Sequence, residues 1–292
     1  MIHDNKEEFI KILDRASKKK KFLLSLLEKD YYITLILSRI QQLSEALVLK
    51  GGTCLNKTYY TYYRLSEDLD FSMHLPEYKV TREMRRKCIK PIKDNIKKFA
   101  EQFGMKIDDT ENAGRNESKQ YIYYFVYKSA LRPIEAKIKF EVGLRYNPLL
   151  EIEKRKIHHN FLHPFTEEPL FDGGEVNCLS LKELIAEKLR ATATRREIAP
   201  RDFYDIDFVL RKGFNLGEAE IITLFKKKLE EDGFDANLEK YRVNLGRSDK
   251  EIREMTLRIK EELFDVLTVD ERENFNMDQA LKRINEAMSR TK

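Results

Sequence analysis

Asp68 and Asp70 stand one residue apart in the run "DLDFSM" (68–73), and the triplet Gly51-Gly52-Thr53 lies shortly before them. "DLDFSM" alternates strictly, so it reads as a strand. Both carboxylates then project to one face, their Cα atoms roughly 6.5–7 Å apart, while Leu69, Phe71 and Met73 take the other. Like charges so placed repel, and one tends to protonate unless a cation sits between them. Hard oxygen donors favour Mg²⁺, or Mn²⁺ in its place. A bare Asp-x-Asp also suits an exposed sheet edge whose acids point to water. The glycines shift the balance, because between a strand and a helix they let the backbone approach a ligand. The free N–H groups of the helix that follows favour an anion. Strand, glycine turn, helix and a carboxylate-bearing strand together frame a nucleoside triphosphate (NTP). Phosphoryl-type transfer asks mainly for that positioning and charge neutralisation.

Three further places add chemistry. In "AKIKFEVGL" (136–144), Ile138, Phe140, Val142 and Leu144 take one face and Lys137, Lys139 and Glu141 the other. Glu141 is a candidate third acid, and a Lys–Glu ladder on an exposed face is the alternative. In "SLKELIAEKLRATATRRE", Leu181, Leu184 and Ile185 define an apolar helix face with Lys188 at its centre and Thr192 and Arg195 continuing the stripe. A buried, unpaired ammonium is costly. Lys188 must therefore snorkel to the surface or meet a triphosphate or an acidic cluster. Asp202 and Asp205, three apart in "APRDFYDIDF" (199–208), repel on one helix face unless Arg201, Lys188, Arg195 or a ligand offsets them. They serve catalysis or an Asp–Arg network that anchors two helices.

The elements that must carry these residues follow from periodicity. Helical spacing runs over 6–43, then a short buried strand (46–50), a helix (53–62), the strand 68–73 and a basic amphipathic helix (81–102). Three strand-like runs follow at 104–109, 120–129 and 135–145. Residues 147–175 are mostly connection, and helices are expected at 180–195, 201–212, 217–231, 248–265 and 276–290. The chain reads as an α+β half and a helical half, with domains at 1–175 and 176–292.

Composition sets limits. The 292 residues, 41% of them hydrophobic, suffice for one large domain or two smaller ones. No apolar run is long enough to span a membrane, and "MIHDNKEEF" lacks a signal peptide's apolar core. Cys54, Cys88 and Cys178 give no disulfide framework and suit a reducing cytoplasm. His158, His159 and His163 cluster, but no CxxC or HExxH pattern accompanies them, so no zinc is assigned there. The net charge of +5 says little about nucleic acid. Local basicity says more: "KKKK" at 18–21, and Arg82, Arg85, Arg86, Lys87, Lys90, Lys93, Lys97 and Lys98 in 82–98. These are either solvated helix faces or a phosphate-tracking surface.

Four segments, "EKDYYITLIL" (28–37), "KGGTCLNKTYYTYYRLSEDLDF" (50–71), "IKFEVGLR" (138–145) and "LKELIAEKLRATATRREIAPRDFYDID" (181–207), resemble in order and spacing the AbiEii/AbiGii toxin family of nucleotidyltransferases, which includes the MenT-type toxins of type IV toxin–antitoxin systems. The resemblance covers roughly 28–212. It implies a DNA polymerase β-like core with a mixed β-sheet, followed by a helical C-terminal domain whose Lys/Asp motifs serve the active site. It implies a Mg²⁺-dependent toxin that transfers a nucleotide from an NTP to RNA, such as a tRNA 3′ end, and is opposed by an antitoxin encoded nearby. Its nucleotide-binding motif falls on Gly51, Gly52 and Thr53, its metal carboxylates on Asp68 and Asp70, and its later motifs on Lys188 and on Asp202 or Asp205. Arg64 and Ser66 match the run before the acidic pair. Two other readings compete. One keeps the fold but transfers to a protein hydroxyl or a small molecule such as an aminoglycoside. The other is a non-catalytic nucleic-acid-binding protein that retains the fold.

Overall fold

The computed structural model describes residues 1–76, 81–108, 113–242 and 244–289, apart from the Lys20 side chain. Asp109 and Arg290, the last residues of the expected 104–109 strand and 276–290 helix, lie outside them. The chain divides into two compact units, Met1–Leu179 and Ser180–Lys292.

The first unit begins with helix α1 (Lys6–Lys20), capped by Asn5, whose side chain accepts from the Glu8 N–H at 3.2 Å. The single helical run expected over 6–43 is broken, because Lys21 takes a left-handed conformation (φ 56°) that ends α1. Helix α2 (Leu24–Ser38) is buried along most of its length, Glu28 and Asp30 included, and α3 (Ile40–Leu43) follows it. Strand β1 (Leu47–Lys50) leads into α4 (Gly51–Cys54), which continues as a wider π-turn over Leu55–Tyr59. Then come β2 (Leu69–Met73), α5 (Arg82–Glu101), β3 (Lys106–Ile107), β4 (Gly114–Arg115), β5 (Gln120–Lys128), β6 (Glu135–Gly143), β7 (Glu153–Lys156) and β8 (Glu175–Cys178).

Among the described residues these strands form one eight-stranded sheet in the order β3-β5-β6-β2-β1-β8-β7, with β4 beside β5. The sheet is mixed: β2 is antiparallel to β1 and parallel to β6, and β8 is parallel to β1. Alternation sorts its central residues. Leu69, Phe71, Ile138, Phe140 and Val142 are wholly buried on one face, each worth about 1.5–3 kcal/mol of transfer free energy. Phe71 and Phe125 flank Phe140 at 5.1 and 5.4 Å between ring centres. Helix α5 packs on this same face, with Phe99 6.2 Å from Phe125 and the Lys93 ammonium 4.6 Å over the Tyr121 ring. The opposite face carries Lys50, Asp70 and Glu141.

The second unit comprises α6 (Leu181–Thr194), α7 (Pro200–Arg211), α8 (Ala219–Glu231), α9 (Asp249–Leu257), α10 (Ile259–Glu262), α11 (Val269–Asn274) and α12 (Met277–Ser289). Ion pairs join its helices beside the apolar core. Buried Lys228 of α8 meets Glu183 of α6 at 2.7 Å, and Arg283 of α12 meets Asp207 of α7 at 2.6 Å. The helix expected over 248–265 is two, broken at Arg258. Its guanidinium is drawn to the Ile198 carbonyl and to Glu262, both at 2.6 Å.

Candidate active site

Gly51 is where β1 turns into α4. Its φ of +72° belongs to the left-handed region, which glycine enters without strain. A Cβ there would stand 3.0 Å from Asp70 Oδ2. At Gly52 a Cβ would run into the Arg64 guanidinium and lie 3.2 Å from Ser66 Oγ. The glycine pair is therefore the floor of a cradle with a carboxylate on one side and a buried arginine on the other. Arg64 is fixed by donating to the Leu65 carbonyl at 2.7 Å. The segment between Arg64 and Asp68 is tied to α2 by a Lys29–Glu67 ion pair at 2.9 Å. The Thr53 hydroxyl is buried and donates to the Asp68 carbonyl, so it pins the start of β2 to the start of α4.

On β2, Asp70 lies in register between Lys50 of β1 and Glu141 of β6. Partners in register share a sheet face, so the parallel β2–β6 pairing places Glu141 beside Asp70. Asp68 immediately precedes the strand. Burial, then the Glu141 charge, pushes the Asp70 carboxyl above its usual range; Lys50 and Lys139 offset this in part and Asp68 adds to it. Glu141 is differently placed. Gln120 donates to its Oε1 and Lys139 to its Oε2, both at 2.5 Å. Burial alone would raise the Glu141 carboxyl, but the Lys139 bond and charge, the Gln120 bond and Lys50 hold it below the usual value. The Lys–Glu ladder and the juxtaposition with Asp70 thus coexist.

In type and in space, Asp68 and Asp70 fit a hard divalent cation. Both offer carboxylate oxygens, Asp70 stands beside a cradle that a Cβ would fill, and Lys50 and Lys139 offset its charge only in part. Glu141 stands beside them in register with Asp70, each of its oxygens accepting one hydrogen bond. Among the described residues no three such donors converge as a ready-made cation site.

In the helical unit Lys188 does not snorkel. It is buried, with its ammonium 2.6 Å from Asp202 Oδ1 and 2.7 Å from Asp205 Oδ2. Arg195 reaches Asp202 Oδ2 at 2.7 Å. Burial would raise the Asp202 carboxyl, but the Lys188 and Arg195 charges hold it below its usual range. The acidic cluster anticipated as a partner for Lys188 is this pair of aspartates.

Buried Lys57, like Lys228, escaped the sequence reading. Lys57, in the π-turn, is wholly buried and sits 2.7 Å from Asp30 of α2, 3.0 Å from Thr34 Oγ1 and 3.1 Å from the Tyr62 hydroxyl. Tyr62 also donates to Asp30 at 2.5 Å. The reasoning applied to Lys188 would have flagged it, because Lys57 follows the apolar Cys54 and Leu55 within one turn. In the basic stretch 82–98, Arg82, Arg86, Lys87, Lys90, Lys93, Lys97 and Lys98 are exposed. Arg85 is buried and donates to the Glu117 carbonyl at 3.3 Å. Lys87 and Lys90 pair with Glu83 and Asp94 at 2.9 and 2.5 Å. Tyr121, under Lys93, pairs with Val142 and so faces away from Glu141. Helix α5 therefore does not flank the carboxylates. His159 stacks on Phe171 with ring centres 4.2 Å apart, and its Nε2 lies 2.7 Å from the Phe171 carbonyl, as befits a core histidine.

The family model for the nucleotidyl transferase AbiEii toxin of type IV toxin–antitoxin systems matches residues 35–289, so the match extends through the helical remainder beyond 212. No curated protein sequence matches the chain. Among solved structures, the nucleotidyltransferase toxin MenT4 of Mycobacterium tuberculosis superposes with a TM-score of 0.58 at 17% identity, covering 95% of this chain and 97% of its own. A protein of Helicobacter pylori described as a "putative nucleotidyltransferase" gives 0.53 at 17%, covering 91% and 93%. JHP933, also of H. pylori, gives 0.52 at 16%, covering 92% of each chain. At such identities the likeness shows the fold alone.

Proposed function

Because the chain belongs to the AbiEii family of nucleotidyltransferase toxins, we propose that it transfers a nucleotide from an NTP to RNA, with a tRNA 3′ end as acceptor, using Mg²⁺ (or Mn²⁺) at Asp68 and Asp70. The family is one of type IV toxin–antitoxin systems, so an antitoxin is the expected partner. Among the described residues no helix is long and apolar enough to cross a membrane.

The observation that carries the reading is the cradle itself. Two glycines without room for a Cβ lie between Asp70 and the Arg64–Ser66 side. Backbone can approach a triphosphate there, and the buried guanidinium of Arg64 supplies positive charge beside it. Ser66 lines the same wall. Thr53 acts through its hydroxyl, which fixes Asp68 relative to the glycines. When bound, the divalent cation neutralises charge on the transferred phosphoryl group. Asp68 and Asp70 would hold it, and Glu141, in register with Asp70, fixes the surrounding charge. Lys188, with Asp202, Asp205 and Arg195, is proposed to serve the nucleotide's phosphates.

The test offers α-labelled NTP to separate pools of cellular RNA, protein and small molecules. Label in RNA supports the reading. The acceptor KM should then rise steeply between about 50 and 200 mM salt, because RNA binding releases counterions. Label in protein or a small molecule with a flat salt response would replace RNA as acceptor.

A further inference from the structure

We propose that Lys50 contacts the triphosphate of the NTP, meeting its non-bridging oxygens from the glycine side of Asp70. The inference rests on the nucleotide reading given above.

The sheet supplies the placement. Lys50 closes β1 and is in register with Asp70 of β2, which is itself in register with Glu141 of β6. Partners in register share a face, so one cation and two acids form a row across three strands, each strand about 4.8 Å from the next. The row has a direction. Gly51 follows Lys50 at once, and its missing Cβ leaves backbone open beside Asp70 Oδ2. Glu141 lies on the other side of Asp70. A triphosphate laid on the glycine turn therefore meets Lys50 before it meets Glu141.

Charge is the second observation. Lys139 is held by Glu141 at 2.5 Å, and Arg64 donates to the Leu65 carbonyl at 2.7 Å. Lys50 is half-buried, and among the described residues its ammonium makes no ion pair and no hydrogen bond. It nevertheless offsets the charge of Asp70 more than Lys139 does. An ammonium partly withdrawn from water and lacking an acceptor gains when a phosphate oxygen reaches it, since a hydrogen bond between two ions is stronger than one between neutral groups. Lys188, shared by two aspartates, must give up a partner to reach a phosphate. Lys50 gives up none.

The test needs no knowledge of the base. Inorganic tripolyphosphate is titrated into the full chain with Mg²⁺ and without acceptor, and binding is read by calorimetry. Lys50→Met should weaken it about tenfold, the scale of one hydrogen bond to a charged group. Lys50→Arg, which keeps the charge, should stay within about threefold of wild type. Mn²⁺ offered alone should bind Lys50→Met no worse than wild type, because a like charge has left the ion's surroundings. With NTP and RNA together, Lys50→Met should raise the KM for NTP about tenfold and leave the KM for RNA unchanged. Tripolyphosphate affinity equal to wild type in Lys50→Met overturns the proposal and leaves Lys50 a counter-charge to Asp70 only. An equal rise in both KM values also overturns it. Should Lys50→Met fail to fold or bind Mn²⁺ worse, Lys50→Gln is read in its place. Tripolyphosphate that the wild type itself does not bind removes the nucleotide reading of the cradle, and not merely the part of Lys50 in it.

Discussion

At the scale of single residues, Asp70 carries the most information. Its carboxylate is penalised by burial and by Glu141, so its ionised form costs the metal-free fold stability. A raised folded-state value means the penalty is absent below the usual 3.8 and is felt in full once pH has risen past the folded-state value. Asp70→Asn in a chelator should therefore raise the melting temperature near neutral pH, and the gain should vanish in acid. A drop in melting temperature at neutral pH would mean that the carboxylate is instead satisfied by its neighbours. Asp70 and Glu141 could be assigned to strand faces from alternation alone, and their pairing could not. Alternation tells which face a residue takes, whereas the neighbour across the ladder depends on a parallel β2–β6 register formed between distant segments. The same limit hid Gln120, which reaches Glu141 from another strand.

At the scale of elements, the turn from β1 through α4 to Tyr59 positions the cradle, and its anchor is the buried Lys57–Asp30 pair. The π-turn shifts helical phase just past the glycines and sends Lys57 into the core against α2. Tyr59 and Arg155 fasten its other side: the Tyr59 hydroxyl donates to the Leu179 carbonyl at 2.9 Å, and the Arg155 guanidinium lies 4.1 Å over the Tyr59 ring. Lys57→Met leaves Asp30 buried without its cation and should cost about 3–5 kcal/mol. Urea unfolding followed by tryptophan-free signals, such as far-ultraviolet circular dichroism, reads this directly. A loss below about 1 kcal/mol would assign the pair the weight of a surface ion pair. A regular 3.6-residue pattern cannot announce a π-turn, nor a break such as Arg258 where neither glycine nor proline interrupts the helix. Periodicity gave the strands with alternating faces correctly and blurred these irregular junctions, which depend on long-range side-chain anchors.

At the scale of the whole molecule, the helical unit raises the question of what Lys188 is for. Two aspartates already satisfy it, so its burial is explained without any ligand. The proposed phosphate role makes a separate demand. Lys188→Ala should lower stability by about 3 kcal/mol, because buried Asp205 loses the Lys188 ammonium and Asp202 keeps only Arg195 of its two cations. It should also lower kcat/KM for NTP about tenfold, assayed well below the melting temperature. Loss of stability with unaltered NTP kinetics would leave the cluster a purely structural joint of α6 and α7. The central claim is nucleotidyl transfer supported by the acidic pair over the Gly51-Gly52 cradle. Its most direct measurement is label transfer from α-labelled NTP to RNA by the wild type and by Asp70→Asn, with the fold of each verified. The account predicts transfer by the wild type that needs a divalent cation, and a loss of about 100-fold or more in the variant, the scale of removing one electrostatic group from a transition state. Transfer by Asp70→Asn within about threefold of wild type, a difference too small to represent a lost transition-state contact, would contradict it.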